Sequence, residues 1–314
     1  MKKQNLLATA LLALAGAAFL TPSAHADTST INPNPTCDMI LGFQVVTLYD
    51  NSGKALASQG IGSSSNLEID LGSASQFYNA TSGTSFTLTG LVVADLVATY
   101  GDNWNTRTDL LWGVIGATAT GRSQVQNGSA TYSGTTPTYD YHAPKSTIWA
   151  TKAESTAGTV SSPWPLESTS AQGVDIGFIS AMYSGGSPLS GATSTANSAE
   201  ATVVLASTPG SWSSEEGDNN STSFGGFSGT INNNTNISLG GYSVLDLYEL
   251  QPSSTAGSAT LLGAFGLSSS GVLTFSTDPS LFATVPEPSS FALLGMAGGV
   301  LALRLRRKRS TNNV

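Results

Sequence analysis

The chain has few of the residues that most often build reactive centres. Cys37 is its only cysteine, so no disulfide can form within the chain, and its stability must come from buried apolar area. His25 and His142 are its only histidines. A zinc site needs three or four cysteine, histidine or carboxylate ligands, so one cysteine and so few histidines exclude the common zinc sites.

A recognisable motif for nucleophilic catalysis is also missing. The G-x-S-x-G turn of an α/β-hydrolase does not occur. His142 lies in TYDYHAPK, which we interpret as an aromatic patch beside a turn. Acidic residues offer many carboxylate pairs for glycoside cleavage, but the sequence singles out none of them. We therefore expect no enzyme activity and no cofactor, with calcium as the one candidate exception, and rank an extracellular hydrolase third among the functional hypotheses.

Positive charge is scarce between residues 27 and 284. This segment holds five basic residues against 19 acidic ones, which gives a net charge of −14. A surface of this kind repels nucleic acid and anionic lipid, so we expect no nucleic-acid partner. Divalent cations and cationic partners remain compatible with it.

The first 26 residues have the pattern of a secretory signal peptide. A positively charged start is followed by an apolar run over residues 6–20 and by the small residues Ala24 and Ala26 at the cleavage site. We predict a signal peptide over residues 1–26, with an exported chain that begins at Asp27. The apolar run is too short for a comfortable membrane-spanning helix.

The C-terminus repeats the apolar and basic elements in the opposite order. Residues 291–303 are apolar, and as a helix they measure about 20 Å against a hydrocarbon core of about 30 Å. A helix that starts at Pro288 and lets its terminal arginines reach the headgroups spans more of the membrane. Clustered positive charge stays on the cytoplasmic side, so residues before this helix lie outside, as the signal peptide also requires. The basic tail consists of Arg304, Arg306, Arg307, Lys308 and Arg309.

Residues 285–310 resemble the PEP-CTERM sorting signal of Gram-negative exoproteins. The resemblance rests on Pro286, Glu287 and Pro288, on the short apolar segment and on the basic tail. It implies recognition by exosortase, a processing enzyme of the inner membrane, followed by removal of the tail and release to the cell surface or extracellular matrix. The membrane-anchored precursor would then be transient. An ordinary single-pass anchor is the alternative interpretation.

The segment between the two ends, residues 27–284, has the pattern of a β-rich ectodomain. Many short apolar runs are bounded by glycine, serine, asparagine or proline, which predicts an antiparallel sandwich or jelly-roll-like fold. One short helix is expected in LVVADLVATYGDNW, closed by Gly101. Segments such as DMILGFQV and LLGAFGLSSSGVLTF also resemble a group of PEP-CTERM exoproteins of uncharacterised function. That resemblance implies a shared β-rich fold and transfers no site residue.

Individual strands and loops follow from the same patterns. Residues 39–60 predict a hairpin that turns at residues 50–53. Alternation in NLEIDLGS predicts a half-buried strand with Leu67, Ile69 and Leu71 on one face. Glu68 and Asp70 lie on the other. Residues 118–170 are dominated by serine, threonine, glycine and proline, which predicts long loops around short strands such as STIWAT. The apolar run VDIGFISAMY predicts a further strand.

Two clusters are candidate ligand sites in this ectodomain. Glu215, Glu216 and Asp218 in SSEEGDNNS are the densest group of oxygen ligands and a candidate calcium site, with a solvated acidic loop as the alternative. Trp164, between two prolines, and Trp212, beside the acidic cluster, are the tryptophans expected to be exposed for stacking on a sugar. The first hypothesis for function is a non-enzymatic surface or matrix protein. The second is a carbohydrate-binding module, with extracellular polysaccharide as its partner.

Overall fold

The computed structural model describes residues 38–48, 61–117, 124–133, 136–144, 147–153, 158, 164, 167–182, 200–220, 226–231, 241–252 and 257–282. For residues 124–133, 136–144 and 217–220 the backbone alone is described. The predicted signal peptide, Cys37, the return strand of the 39–60 hairpin and the sorting signal lie outside these residues. No helix in the described part is long and apolar enough to cross a membrane.

Strands dominate the described chain. They are β1 (Asp38–Val45), β2 (Ser65–Ser73), β3 (Ser85–Leu88), β4 (Leu110–Ala117), β5 (Gln124–Ser133), β6 (Thr136–Pro144), β7 (Ile148–Lys152), β8 (Ala201–Leu205), β9 (Ser228–Thr230), β10 (Tyr242–Gln251), β11 (Ser258–Ser268) and β12 (Leu273–Ser276). The helices are α1 (Ser75–Tyr78), α2 (Val93–Tyr100), α3 (Thr169–Ala181) and α4 (Trp212–Asn220), with 3₁₀ turns at Trp104–Thr106 and Pro279–Phe282.

Ten of these strands form one antiparallel sheet in the order β3-β12-β11-β10-β7-β4-β1-β2-β8, with β9 paired to β4. The sheet curls into a half-barrel. Leu71 of β2 and Leu88 of β3 stand near opposite ends of this order, yet they belong to one apolar cluster. The prediction of a mainly antiparallel β-fold is confirmed. Ten of the twelve described strands build one curled sheet, however, where the sequence predicted the two facing sheets of a sandwich or jelly roll.

The two faces of the sheet bury different partners, because neighbouring residues of a strand point to opposite sides. One face encloses a cluster that we term the aromatic core. Its largest members are Phe43, Phe77, Tyr100, Trp104, Trp112, Trp149, Phe265 and Phe275. The other face is covered by α3 and α4 and forms the helix-covered core. Its main members are Ile40, Ile115, Ile148, Trp164, Ile176, Ile179, Trp212, Phe227 and Tyr248.

Helix α2 is the helix that the sequence predicts. It ends at Tyr100, and Gly101 follows with a φ of 89°, a conformation that glycine adopts without strain. The amide of Gly101 donates to the Val97 carbonyl at 2.8 Å. The last turn is therefore closed by this glycine.

Helix α3 corrects the predicted strand in VDIGFISAMY, and with α4 it corrects the expectation of a single helix. Ser168 begins α3, and its hydroxyl accepts a hydrogen bond from the Ala171 amide at 3.4 Å. Gln172, Ile176 and Ile179 repeat at helical spacing and are buried. The Gln172 amide donates to the Leu250 carbonyl at 2.8 Å, which ties α3 to β10. The run is rich in residues that favour strands, but packing on the sheet decides in favour of a helix.

The serine- and threonine-rich stretch after residue 118 contains more strand than predicted. Strands β5 and β6 pair with each other over residues 124–133 and 136–144 as a separate two-stranded sheet. His142 lies in β6. The predicted strand around STIWAT is confirmed as β7, which pairs with β4 and β10.

Candidate functional site

The acidic segment proposed for calcium is a helix and not a loop. Glu215 is 2% exposed in α4, and the Glu216 carboxylate accepts hydrogen bonds from the amides of Phe227 and Ser228 at 3.0 and 3.2 Å. The Ser228 hydroxyl donates to the same carboxylate at 2.7 Å. Burial raises the pKa of Glu216, and these donors partly offset the rise. Glu216 therefore anchors α4 to the segment that leads into β9.

Glu215 and Glu216 do not form one set of metal ligands. Glu216 faces Ser228, whereas Glu215 lies close enough to Glu68 of β2 to raise its pKa. Among the residues that the structure describes, no three histidine, cysteine, aspartate or glutamate side chains converge on one point. The side chain of Asp218 lies outside the described residues.

Both tryptophans that the sequence predicted to be exposed are buried. Trp212 is 0% exposed, and its ring meets Phe227 edge to face with centroids 5.0 Å apart. Its indole nitrogen donates to the Ser228 hydroxyl at 3.2 Å. Trp164 is 4% exposed, and the Lys152 ammonium lies 4.3 Å from its ring centroid. Neither ring presents a face to solvent, so the expected exposure of these two residues was wrong.

A glycine on β1 explains why Trp212 fits against the sheet. The indole lies directly over Gly42, and a Cβ atom at this position would fall inside the ring. The pairing of Gly42 with Gly113 of β4 leaves two small residues side by side. Trp212 therefore packs flat against backbone atoms of β1 that no side chain covers.

Polar side chains of β2 hold the start of helix α4. The Glu68 carboxylate accepts from the Trp212 amide at 2.6 Å, and the Asn66 side chain accepts from the Ser213 amide at 3.2 Å. The Asn66 amide group also donates to the Ser213 hydroxyl at 2.7 Å. These contacts satisfy amide groups that the first turn of a helix leaves without a partner. They add to the local cap of Ser211, whose hydroxyl accepts a hydrogen bond from the Ser214 amide at 3.4 Å.

Glu68 is fully buried, which corrects the expectation that its face of β2 meets water. Burial raises its pKa to about 8, the Trp212 amide partly opposes the rise, and the nearby Glu215 adds to it. The prediction of a strand with Leu67, Ile69 and Leu71 on one face is confirmed. The opposite face is covered by a helix.

A cavity of about 310 Å³ opens where the two ends of the curled sheet approach each other. We term it the seam cavity. Residues 70–72 of β2, residues 86–90 of β3 and the turn after it, Gln76 and Glu200 line it. Strand β8 pairs with β2 only up to the pair Ile69 and Ala201, so the edge of β2 beyond this point faces the cavity.

The electrostatics of the seam cavity are dominated by carboxylates. Burial raises the pKa of Asp70 to about 6, and the negative charges of Asp38 and Glu200 add to the rise. The Gly72 amide donates to the Asp70 carboxylate at 2.8 Å and opposes it. No basic side chain is among the described residues that line the cavity. From the sequence, Asp70 is predictable only as part of the outer face of a strand, because nothing along the chain signals that Phe86 and Glu200 meet it.

The comparisons with known proteins concern the C-terminus. Residues 284–309 match the family model of the PEP-CTERM protein-sorting motif. Nothing among the curated proteins or the solved structures matches the chain. The motif implies processing by exosortase and an extracellular or surface-placed product. The resemblance seen in Pro286, Glu287 and Pro288 is thereby confirmed.

Proposed function

We propose that the chain is a non-enzymatic protein of the cell surface or extracellular matrix that contributes to adhesion or envelope structure. The observation that carries the proposal is the match of residues 284–309 to a sorting motif. Such a motif delivers the ectodomain to the outside of the cell. The remaining chain would then act where it is displayed.

The described ectodomain supports a structural or binding role. Buried acids such as Glu68 and Glu216 hold helix α4 on the sheet through hydrogen bonds to its backbone and neighbours. These carboxylates serve the fold. The net charge of −14 over residues 27–284 repels anionic surfaces and attracts cationic ones.

A carbohydrate-binding module is the second candidate function. The seam cavity favours it, because carboxylate, hydroxyl and aromatic side chains line one concave site of a size suited to a small ligand. The tryptophans that first suggested sugar binding are buried and do not support it.

The substitution Glu287→Gln tests the route by which the protein reaches the surface. A processing enzyme that recognises the rigid Pro-Glu-Pro segment would read the single carboxylate at the membrane edge. We expect the variant to accumulate as an uncleaved, membrane-retained precursor, whereas the native protein loses residues 291–314 and is exported. Intact-mass analysis of the exported and membrane fractions measures both species.

The matched control is Asp102→Asn, which removes an exposed acid of the ectodomain and should leave processing unchanged. Recovery of the full basic tail on the exported native protein would make an ordinary membrane anchor the better account. Turnover of a polysaccharide or ester by the exported protein would contradict the non-enzymatic role.

A further inference from the structure

We propose that the seam cavity binds an amino sugar unit of an extracellular polysaccharide, that is, a protonated primary amine carried on a hydroxylated ring. This inference deepens the proposed function by naming the chemical class of a matrix partner. It rests on that function in one respect: the protein meets this partner outside the cell. It goes beyond a general affinity for carbohydrate because it depends on the charge of the ligand.

The carboxylates of the cavity select a cation. Asp70 is partly buried at the cavity wall, and the exposed Glu200 lies beside it, directly before β8. Their backbones are joined, since the Asp70 amide donates to the Glu200 carbonyl at 2.9 Å. Two neighbouring acids, one of them partly buried, repel an anionic sugar. An ammonium group relieves their mutual repulsion and gains from the low local dielectric.

The remaining walls suit a sugar ring. Phe86 is half-buried and held by Phe77 and Phe275, with ring centroids 5.9 and 5.5 Å away, so its ring is a fixed apolar surface. Thr87, Thr89 and Gln76 are exposed around it and offer hydroxyl and amide groups to ring hydroxyls. The volume of about 310 Å³ lies at the lower end of the range for ligand cavities, which suits one sugar unit with its neighbours outside.

A metal ion fits the same cavity less well. Calcium takes six to eight oxygen ligands. Asp70 and Glu200 are the acids that line the cavity among the described residues, and no three acidic side chains converge there. An aromatic wall supplies no ligand to a metal, whereas it packs against the apolar face of a sugar.

Binding of defined oligosaccharides to the exported protein tests the proposal. Calorimetry at physiological ionic strength compares a glucosamine trimer with its N-acetylated form and with a glucose trimer. We expect the glucosamine trimer to bind most tightly, because acetylation removes the positive charge. Asp70→Asn should weaken this binding at least about tenfold, the effect of losing a partly buried charge pair of about 1.4 kcal/mol.

Two control variants and one blocking variant keep the result independent of folding and of net charge. Asp102→Asn removes one exposed acid elsewhere and should bind as the native protein does. Thr87→Arg places a long cationic side chain at an exposed position of the cavity wall and should abolish binding even if Asp70→Asn fails to fold. Thr260→Arg, at an exposed position of β11, adds the same charge away from the cavity and should not change it.

Each of the following outcomes would contradict the proposal. Equal affinity for the three trimers would show that charge plays no part, and equal weakening by Asp70→Asn and Asp102→Asn would show non-specific attraction. Calcium binding without glucosamine binding would assign the cavity to a metal. Export and tail removal are measured separately by mass, so a failure of sugar binding and a failure of the proposed sorting route remain distinguishable.

Discussion

The two faces of the curled sheet are stabilised in different ways. On the aromatic core side, rings pack against rings: Phe77 meets Phe265 and Phe275 at centroid distances of 5.2 and 5.1 Å. On the helix-covered side, the sheet buries the carboxyl of Glu68. The carboxylate of Glu216 in α4 accepts a hydrogen bond from the Ser228 hydroxyl at the start of β9. One face of the sheet is therefore dominated by packed rings, with the buried Glu249 carboxylate accepting a hydrogen bond from the Trp149 indole at 2.9 Å, whereas the other face has buried carboxyl groups at the point where a helix is attached.

The difference shows how a helix with little apolar surface can still be held on a sheet. Helix α4 carries one large apolar side chain, Trp212, and the rest of its sequence is polar. Burying Trp212 supplies most of the apolar contact, and the position of the helix is fixed by hydrogen bonds that Glu68, Asn66 and Glu216 accept from backbone amides. Such bonds depend on protonation, whereas ring packing does not. Stability on the two sides should therefore respond differently to mutation and to pH.

The largest expected effect is on the aromatic face. Phe265→Ala removes a fully buried ring between Phe77 and Phe275 and leaves a cavity. We expect the free energy of unfolding to fall by about 3–5 kcal/mol, by the same amount at pH 5 and at pH 8. Urea denaturation of the purified protein at both pH values measures this.

Leu205→Ala is the matched control for Phe265→Ala, because Leu205 is 62% exposed on the edge strand β8. It should change the free energy of unfolding by less than about 0.5 kcal/mol. A loss below about 1 kcal/mol for Phe265→Ala would mean that the aromatic core does not dominate the stability of its face.

Glu68→Gln tests the ionisable face through the pH dependence of stability. A folded-state pKa of about 8 exceeds the ordinary value of 4.5, so the native state retains a proton that the unfolded chain releases. This contribution to stability is fully present below pH 4.5 and is lost as pH rises through about 8. Between these limits the free energy of unfolding should fall by up to about 1.4 kcal/mol per pH unit for this group.

The glutamine variant should lose this part of the slope while keeping the hydrogen bond from the Trp212 amide. Asp70 and Glu216, whose pKa values are also raised, keep their own contributions in the same direction. Chemical denaturation from pH 5 to pH 8 should give a shallower fall for Glu68→Gln and an unchanged one for Asp102→Asn. Parallel curves for the native protein and Glu68→Gln would show that Glu68 is ionised throughout.

The strands were largely predictable because each one has a recognisable sequence pattern of its own. Apolar runs bounded by turn residues marked β4, β10, β11 and β12, and Gly101 marked the end of α2. The covered side of the sheet was not predictable in the same way. Alternation around Glu68 separates two faces of a strand, but it cannot tell water from a helix on the polar one. Helix α4 has the N-cap residue Ser211 but lacks an apolar period, so its place on the sheet follows only from its contacts with β2 and Phe227.

The seam cavity could not be predicted from the sequence because it depends on the topology of the sheet. Asp70, Phe86 and Glu200 are far apart in sequence and meet because the sheet curls until β2 approaches β3. Trp164 and Trp212 were wrongly predicted to be exposed because flanking prolines and acidic residues are typical of surface segments. The burial of Trp212 depends on a small partner, Gly42, which a pattern of apolar residues does not reveal.

The smallest loss of stability is expected when the hydroxyl of Tyr100 is removed. This hydroxyl forms a hydrogen-bonded link within the aromatic face. It accepts a hydrogen bond from the Leu67 amide at 2.9 Å and donates to the Phe43 carbonyl at 2.8 Å, so it bridges β1 and β2 from α2. Tyr100→Phe keeps the ring and leaves the buried Leu67 amide without this partner, whereas the Phe43 carbonyl keeps the hydrogen bond from the Asn66 side chain at 3.3 Å.

Because unsatisfied buried groups carry their full desolvation cost, we expect Tyr100→Phe to lower the free energy of unfolding by about 1–3 kcal/mol. The loss should be the same at pH 5 and pH 8, since burial raises the pKa of this hydroxyl and it stays protonated over that range. Tyr242→Phe, at a half-buried position of β10, is the control and should lose less than about 0.5 kcal/mol. If Tyr100→Phe instead matched the native protein at pH 5 and differed from it at pH 8, this hydrogen-bonded link would depend on a titrating neighbour such as Glu68, whose charge acts on Tyr100, and the contrast between the two faces would fail.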